Sequence, residues 1–323
     1  MGNEENEKTA HGPGSEKSQM SVMKSFAYHL KTLWLFTKSD MPTSTGINST
    51  FAVVGVLAGP SISDANIDLS DLWKGVLVTL YFTWHLTLCF NLGNQRQPSS
   101  IIEDGVNKPW RPIPAGRITP EAARVCHLVA VITMLGLCVA VLGAWQETAF
   151  YLFCTWLYNE QAWGDKSWWK RALMNACGIT TNRVASLHVV INAIQQGDQF
   201  RFTDKALGWF LICAGIVIGT IQVQDLRDQE GDAEIDRQTL PLLIGDAETR
   251  WIAAAGVWFF SLVSPLYWNL GIMGYIIPVL AAAGVTAHML MYRTRERDQL
   301  SFRLVAVWWV SLYFLPMMKS HGM

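Results

Sequence analysis

Three aspartates, Asp225, Asp228 and Asp232, recur at i, i+3 and i+7 in the segment that opens at Gln222. On an α-helix that spacing places three carboxylates on one stripe. Like charges repel there, so the stripe calls for a counter-cation. Hard Mg²⁺ prefers oxygen ligands and keeps waters and substrate phosphates in its shell. The stripe therefore reads as half of a site for a metal–diphosphate complex. The plainer alternative is a solvated helix end with three ordinary acids. Against it stand the apolar run that the stripe terminates and the matching chemistry of a second loop.

That loop, residues 91–120, combines Asn94, Glu103 and Asp104, which are metal-type ligands, with Lys108, Arg111 and Arg117, which are phosphate-type ligands. Arginine offers paired donors to phosphate oxygens and lysine a point charge. Asn107 and Arg227 add further expected contacts to a diphosphate. Pro109, Pro112, Pro114 and Pro120 keep the stretch after Asn107 out of helix and stiffen it. Taken alone, this loop reads equally well as a connector whose basic residues set membrane topology.

The elements that must hold these loops are apolar. Of 323 residues, 50% are hydrophobic and 16% charged, against about 25% charged in a typical soluble domain. This is the composition of a membrane protein rather than of a disordered or highly charged soluble one. A net charge of −1 excludes a broad polyanion-binding surface, so nucleic acid is not an expected partner, and no protein partner is implied. The six cysteines all lie in apolar stretches and none forms a Cys-x-x-Cys pair, which predicts neither disulfides nor zinc.

Residues 1–23 are polar, lack a signal-peptide core and lack the Ser or Thr of a myristoylation motif at Asn6; they predict a disordered cytosolic tail. Residues 24–40 interleave Lys24, Lys31 and Lys38 with apolar residues, as an amphipathic interfacial helix would. Residues 41–323 then predict one membrane-embedded catalytic domain, all-α, with nine transmembrane helices near 46–64, 71–92, 121–144, 147–163, 171–193, 205–224, 250–269, 272–292 and 301–319. Alternating these spans puts 20 of the 25 Lys and Arg residues on one side and four on the other, which sets the N-terminus in the cytosol. Both acidic loops fall on that side. Trp84, Trp156, Trp163, Trp168 and Trp169 near span ends read as an interfacial belt. Arg183 is the one basic residue left inside a span, with Asn175 two turns before it. An intramembrane charge is a functional candidate by default.

The two loops together resemble those of the UbiA superfamily of intramembrane prenyltransferases. The likeness covers roughly residues 30–320. Asp225-x-x-Asp228-x-x-Gly231-Asp232, followed by Thr239-Leu240-Pro241, is similar to the family's second Asp-rich motif, and Asn107 to Arg117 is similar to the segment after its first. The first motif departs from the common Asn-x3-Asp-x3-Asp, because with Asp104 last the earlier places fall on Ser100 and Arg96. The resemblance implies a UbiA-like bundle of about nine helices with a cytosolic-side active site. It also implies Mg²⁺ held by Asp225, Asp228, Asp232, Glu103, Asp104 and Asn94, with an isoprenyl diphosphate as substrate and the bilayer as surroundings. The Glu-Asp arrangement resembles fungal members that act as membrane-bound terpene cyclases. The expected function is ionisation of farnesyl or geranylgeranyl diphosphate and cyclisation of the cation, in an endomembrane such as the endoplasmic reticulum. Prenyl transfer to an aromatic acceptor is the alternative, and a transporter or non-catalytic membrane protein a second one.

Overall fold

The computed structural model describes residues 13–195 and 199–322. Residues 1–12, the first part of the expected disordered tail, lie outside the described residues. The expected interfacial helix begins earlier than residue 24: α1 runs Pro13–Thr37, so residues 13–23 are helical rather than part of a tail. The remaining helices are α2 (Ile47–Leu57), α3 (Leu72–Gln95), α4 (Pro98–Asn107), α5 (Pro120–Leu137), α6 (Trp145–Asn159), α7 (Trp163–Lys166), α8 (Trp168–Ile194) and α9 (Asp204–Thr220). They continue with α10 (Val223–Leu226), α11 (Gln229–Ala233), α12 (Leu240–Ile244), α13 (Asp246–Tyr267), α14 (Met273–Met291), α15 (Arg295–Tyr313) and α16 (Leu315–Ser320). Among the described residues, β pairing is limited to two isolated bridges, Ser63 with Phe202 and Ile67 with Gln195.

Local chemistry explains several starts. Thr119, Thr203 and Thr294 each accept a backbone N–H from three residues ahead, capping α5, α9 and α15. An acidic residue follows each cap in the first turn, where the helix dipole favours it. Helix α2 ends early because Gly59, at φ +51°, and Pro60 break the 46–64 window.

Length and composition carry five of the nine expected spans. These are Leu69–Gln95, Pro120–Leu142, Asp204–Leu226, Met273–Met291 and Arg295–Ser320. The other four windows form α2, α6, α8 and α13. The first two are short, at 11 and 15 residues. Charged residues interrupt the others, at Lys170, Arg171 and Arg183 in α8 and at Asp246, Glu248 and Arg250 in α13. Large apolar side chains remain on the outside, including Ile132 of α5, 70% exposed, and Leu211 of α9, 76% exposed. An outward apolar belt of this kind fits an integral membrane protein.

Helix α8 is the axis of the bundle. It packs against α2, α3, α6 and α9. Leu187, Val190 and Ile191 enter a core shared with α2, α9 and α13–α16, whereas Ala185 and Val189 enter the core of α1, α3, α5 and α6. Helices α9 and α13 cross at two glycines: a Cβ on Gly256 would lie 2.4 Å from the Gly219 carbonyl oxygen. Small residues permit that approach without a hydrophobic driving force.

Candidate active site

The two acidic loops meet at one end of the bundle, where α11 packs on α4. Helix α4 was not anticipated; Pro98 occupies its first turn, where a missing N–H costs nothing. It carries Glu103, Asp104 and Asn107. Gly231 of α11 sits so close that an added Cβ would fall 2.3 Å from Asn107 Nδ2 and 3.0 Å from Glu103 Cγ.

The second acidic segment is not the continuous helix that its spacing predicts. It breaks after Leu226 into α10 and α11, and the carboxylates turn to separate cations. Asp225 Oδ1 accepts from Arg171 Nη2 at 2.8 Å and Nε at 3.1 Å. Asp228 Oδ2 lies 3.3 Å from Arg227 Nε and 3.6 Å from Lys108 Nζ. Asp232 Oδ1 accepts from Arg237 Nη1 at 2.6 Å. Arg237 also donates to Glu103 Oε2 at 3.1 Å and to Asp165 Oδ1 at 2.7 Å, while Lys108 Nζ lies 3.5 Å from Glu103 Oε1. Acids and bases thus alternate through a network joining α4, α11 and the loops around them, with the Arg171–Asp225 pair linking α8 to α10 beside it.

Electrostatics differ along this network. Burial would raise the Glu103 carboxyl, but Lys108, Arg237 and Arg111 together hold it down at about 2. Asp228 is likewise lowered, because Lys108 and Arg227 outweigh its burial. Burial pushes Asp232 up to about 7 in spite of Arg171 and Arg237, with Asp225 and Glu103 adding to the rise. Its Oδ2 is buried and has no hydrogen-bond partner.

Asp104 belongs to a different arrangement. It is fully buried, and both its oxygens accept from Arg111 Nη1, at 2.7 and 2.9 Å. Arg111 Nη2 reaches Ser39 Oγ at 3.2 Å, tying the proline-rich loop to the end of α1. Burial raises the Asp104 carboxyl against the pull of Arg111. Asp104 is therefore a structural counter-ion rather than an available metal ligand. Arg117 is also displaced from its expected role. Its guanidinium stacks 4.1 Å from the Tyr28 ring and donates to Thr32 Oγ1 and the Tyr28 carbonyl, outside the cavity described below.

Beneath the network lies a cavity of about 1350 Å³, counted to its open mouth. Glu103, Lys108, Arg111, Arg227 and Asp228 line the mouth, and so do Arg171 and Arg237. Asn94 lines it as well, with its amide donating to Asn159 Oδ1 at 2.8 Å. Asp225 and Asp232 stand behind Arg171 and Arg237 and do not line it. Asn107 lies in the outer vestibule beside the mouth, where Arg295 donates to its side-chain and backbone oxygens at 2.9 Å. Farther in, the wall becomes mostly uncharged, with Asn48, Thr87, Asn91 and Thr155 among its apolar and aromatic side chains. Down α15 it runs Phe302, Val305, Ala306, Trp309, and down α8 Arg171, Asn175, Ile179, Asn182. Both are helical i, i+3/i+4 faces. Phe90, Tyr151 and Met174 complete the inner chamber.

Sequence reasoning did not single out Arg171 and Arg237, which serve only as orientation signals in the chain. Arg237 follows Asp232 by five residues, so it could have been found. Arg171 is 54 residues from Asp225, and nothing local announces that pair. Among the five tryptophans assigned to the interface, Trp156, Trp168 and Trp169 are exposed, as a belt requires; the chamber tryptophan is Trp309.

Among the described residues no three His, Cys, Asp or Glu side chains converge closely enough to hold a metal on their own. The donor set nevertheless suits a hard cation. The cations take one oxygen from each motif aspartate, Asp225 Oδ1, Asp228 Oδ2 and Asp232 Oδ1, which leaves the other without a hydrogen bond among the described residues. Such sparse carboxylate sets are completed by waters and phosphate oxygens around Mg²⁺.

The sequence profile of the UbiA prenyltransferase family matches residues 46–312. A somaliensene A/B synthase from Streptomyces somaliensis is 27% identical, over 87% of this chain and 92% of its own. A diterpene cyclase from Hericium erinaceus is 28% identical over 85% and 82%, and a polyprenyl transferase from the same organism is 25% identical over 94% and 100%. A solved structure of a UbiA homolog from Archaeoglobus fulgidus, bound to GPP and Mg²⁺, superposes with a TM-score of 0.56 at 12% identity, covering 88% of this chain and 99% of that one. That likeness is one of fold. With residues 46–312, most of its length, inside the family match, the chain belongs to the UbiA prenyltransferase family.

Proposed function

We propose that this chain is a membrane-embedded terpene cyclase that ionises a farnesyl or geranylgeranyl diphosphate and closes the resulting cation on its own double bonds. The observation that carries the reading is one cavity with two chemistries: a mouth of paired acids and bases above a mostly uncharged chamber with aromatic faces. A diphosphate suits the first and a prenyl tail the second.

Asp228 at the mouth, with Asp225 and Asp232 behind it, would hold Mg²⁺, which would supply charge neutralisation for the leaving diphosphate. Lys108, Arg227, Arg171 and Arg237 face the same space and supply donors to the leaving oxygens. Glu103 orients Lys108 and Arg237 through its two oxygens. The apolar side chains of the inner wall, Ile179, Val305 and Ala306 among them, limit water around the allylic cation, and aromatic faces there stabilise it by about 0.5–2 kcal/mol each. Relatives named as a somaliensene synthase and a diterpene cyclase favour closure of the cation over its transfer.

Transfer of the prenyl group to a second substrate is the competing reading. The full-length match to a polyprenyl transferase favours it, as does the vestibule that shares Lys108, Arg227 and Asp228 with the cavity and would give an acceptor access. Purified protein in lipid, given Mg²⁺ and either diphosphate without any acceptor, is expected to release a cyclic hydrocarbon or alcohol. Turnover that appears only when an aromatic acceptor is supplied would replace cyclisation with transfer.

We infer further that the mouth and the N-terminus face the cytosol, from the bias of Lys and Arg toward that side. An endomembrane such as the endoplasmic reticulum is the location that fits this arrangement.

A further inference from the structure

Arg183 takes no part in the network at the mouth. It lies about 22 Å along α8 from Trp168, at 1.5 Å per residue, well inside the bundle. It is fully buried, and none of its three guanidinium nitrogens has a hydrogen-bond partner among the described residues. No carboxylate among the described residues pairs with it. Two aromatic rings hold it instead, with the guanidinium carbon 4.8 Å from the centre of Trp309 and 5.1 Å from that of Tyr313. The guanidinium thus places a positive charge in the interior with no carboxylate partner among the described residues.

That charge sits one ring behind the chamber wall. Trp309 and Asn182, the residue before Arg183, both line the inner chamber. Trp309 is held in place by its indole N–H, which donates to Thr220 Oγ1 at 3.1 Å. The chamber therefore has a positive inner end, while at its mouth Glu103 and Asp228 are paired with Lys108, Arg227 and Arg237, and the diphosphate bound there would add the negative charge. Full burial of Arg183 weakens the screening of this charge by bulk salt. A cation stacked on one face of Trp309 also weakens that ring as a partner for a second cation.

We propose that Arg183 is a positioning residue that keeps the carbocation's charge toward the mouth, so that positive charge reaching the tail end of the substrate is disfavoured. The charge it fixes restricts which carbons carry the cation when it is quenched, and so restricts the product skeleton. The inference rests on the reading of the cavity as the prenyl chamber, but it holds for a cation closed on itself and for one captured by an acceptor.

The test uses two non-ionising probes, each a farnesyl-length thiolodiphosphate bound with Mg²⁺. One has an all-carbon tail, and the other carries a tertiary ammonium at the tail end. In the wild type the ammonium tail is expected to bind weaker by about tenfold or more. Arg183→Met and Arg183→Gln are expected to narrow that ratio to within about threefold, whereas Arg183→Lys, which keeps the charge, retains it. Loosening of Trp309 alone would shift both probes alike and leave the ratio unchanged. Equal affinities in the wild type would overturn the role of Arg183, and need no variant to fold. An unchanged ratio in the neutral variants would overturn it as well. Failure of both probes to bind would remove the chamber reading and this inference with it. Cyclic product from the natural diphosphate is scored separately, so a failed cyclase reading is distinguished from a failed role for Arg183.

Discussion

Asp104 and Asp228 are the same residue type at the same end of the bundle, yet their surroundings assign them different work. Asp228 presents its carboxylate to the cavity mouth beside Lys108 and Arg227. Asp104 spends both oxygens on Arg111 and lines no cavity. Asp228→Ala is therefore expected to lower turnover by about 10³-fold, with an unchanged melting temperature in detergent. Asp104→Asn is expected to do the reverse. It strands a buried Arg111 guanidinium, at a cost of about 3–5 kcal/mol, so thermal stability falls while the folded fraction retains most of its activity. Equal catalytic losses in both variants would return Asp104 to the metal site. Arg117→Ala is expected to leave kcat/KM within about threefold, since surface contacts of this kind contribute little; a large rise in KM for the diphosphate would restore Arg117 to the mouth. At this scale the sequence showed which acids matter as a set, through their spacing. It did not show which base each acid meets, because pairs such as Arg171–Asp225 and Arg237–Glu103 form only when the bundle closes.

The break between α10 and α11 shows what elements add to residues. A continuous helix would hold Asp225, Asp228 and Asp232 on one stripe, where like charges are mutually destabilising by about 0.2–0.5 kcal/mol per pair. The break turns Asp225 toward α8 and Asp232 toward Arg237, so each carboxylate gains a partner. Periodicity records only the favourable helical spacing, which is why the break was not legible, whereas the caps Thr119, Thr203 and Thr294 are local signals that could have marked three helix starts, the last of them ahead of the expected window at 301. The close seat of α11 on α4 gives this arrangement a testable hinge. Gly231→Ala places a methyl against Asn107 and Glu103. Overpacking of 1–3 kcal/mol there, delivered through Glu103 to Lys108 and Arg237, is expected to cost about tenfold in kcat/KM. Unaltered kinetics would mean that Asn107 yields without disturbing Glu103.

Across the whole molecule the charge is arranged by depth. Helix α9 fixes the two sides without ambiguity, since Asp204 begins it and the segment bearing Asp225 follows its end. Glu234, beyond the acidic motif, and Asp204 are therefore at opposite ends of one apolar helix of 17 residues. The sequence made this separation legible through the distribution of Lys and Arg, but left the number of spanning helices less certain, because α2 and α6 are short and α8 and α13 carry charge for the mouth and the core. The orientation can be decided with Glu234→Cys and Asp204→Cys and a membrane-impermeant maleimide. The six native cysteines give little background: Cys89, Cys138, Cys154 and Cys213 are buried, and Cys126 and Cys177 partly so. In sealed microsomes with the cytosolic side outward, Glu234→Cys is expected to be labelled at once and Asp204→Cys only after permeabilisation. The opposite pattern would put the diphosphate mouth on the lumenal side, away from a cytosolic supply of substrate, and would require the positive-residue bias to be read in reverse.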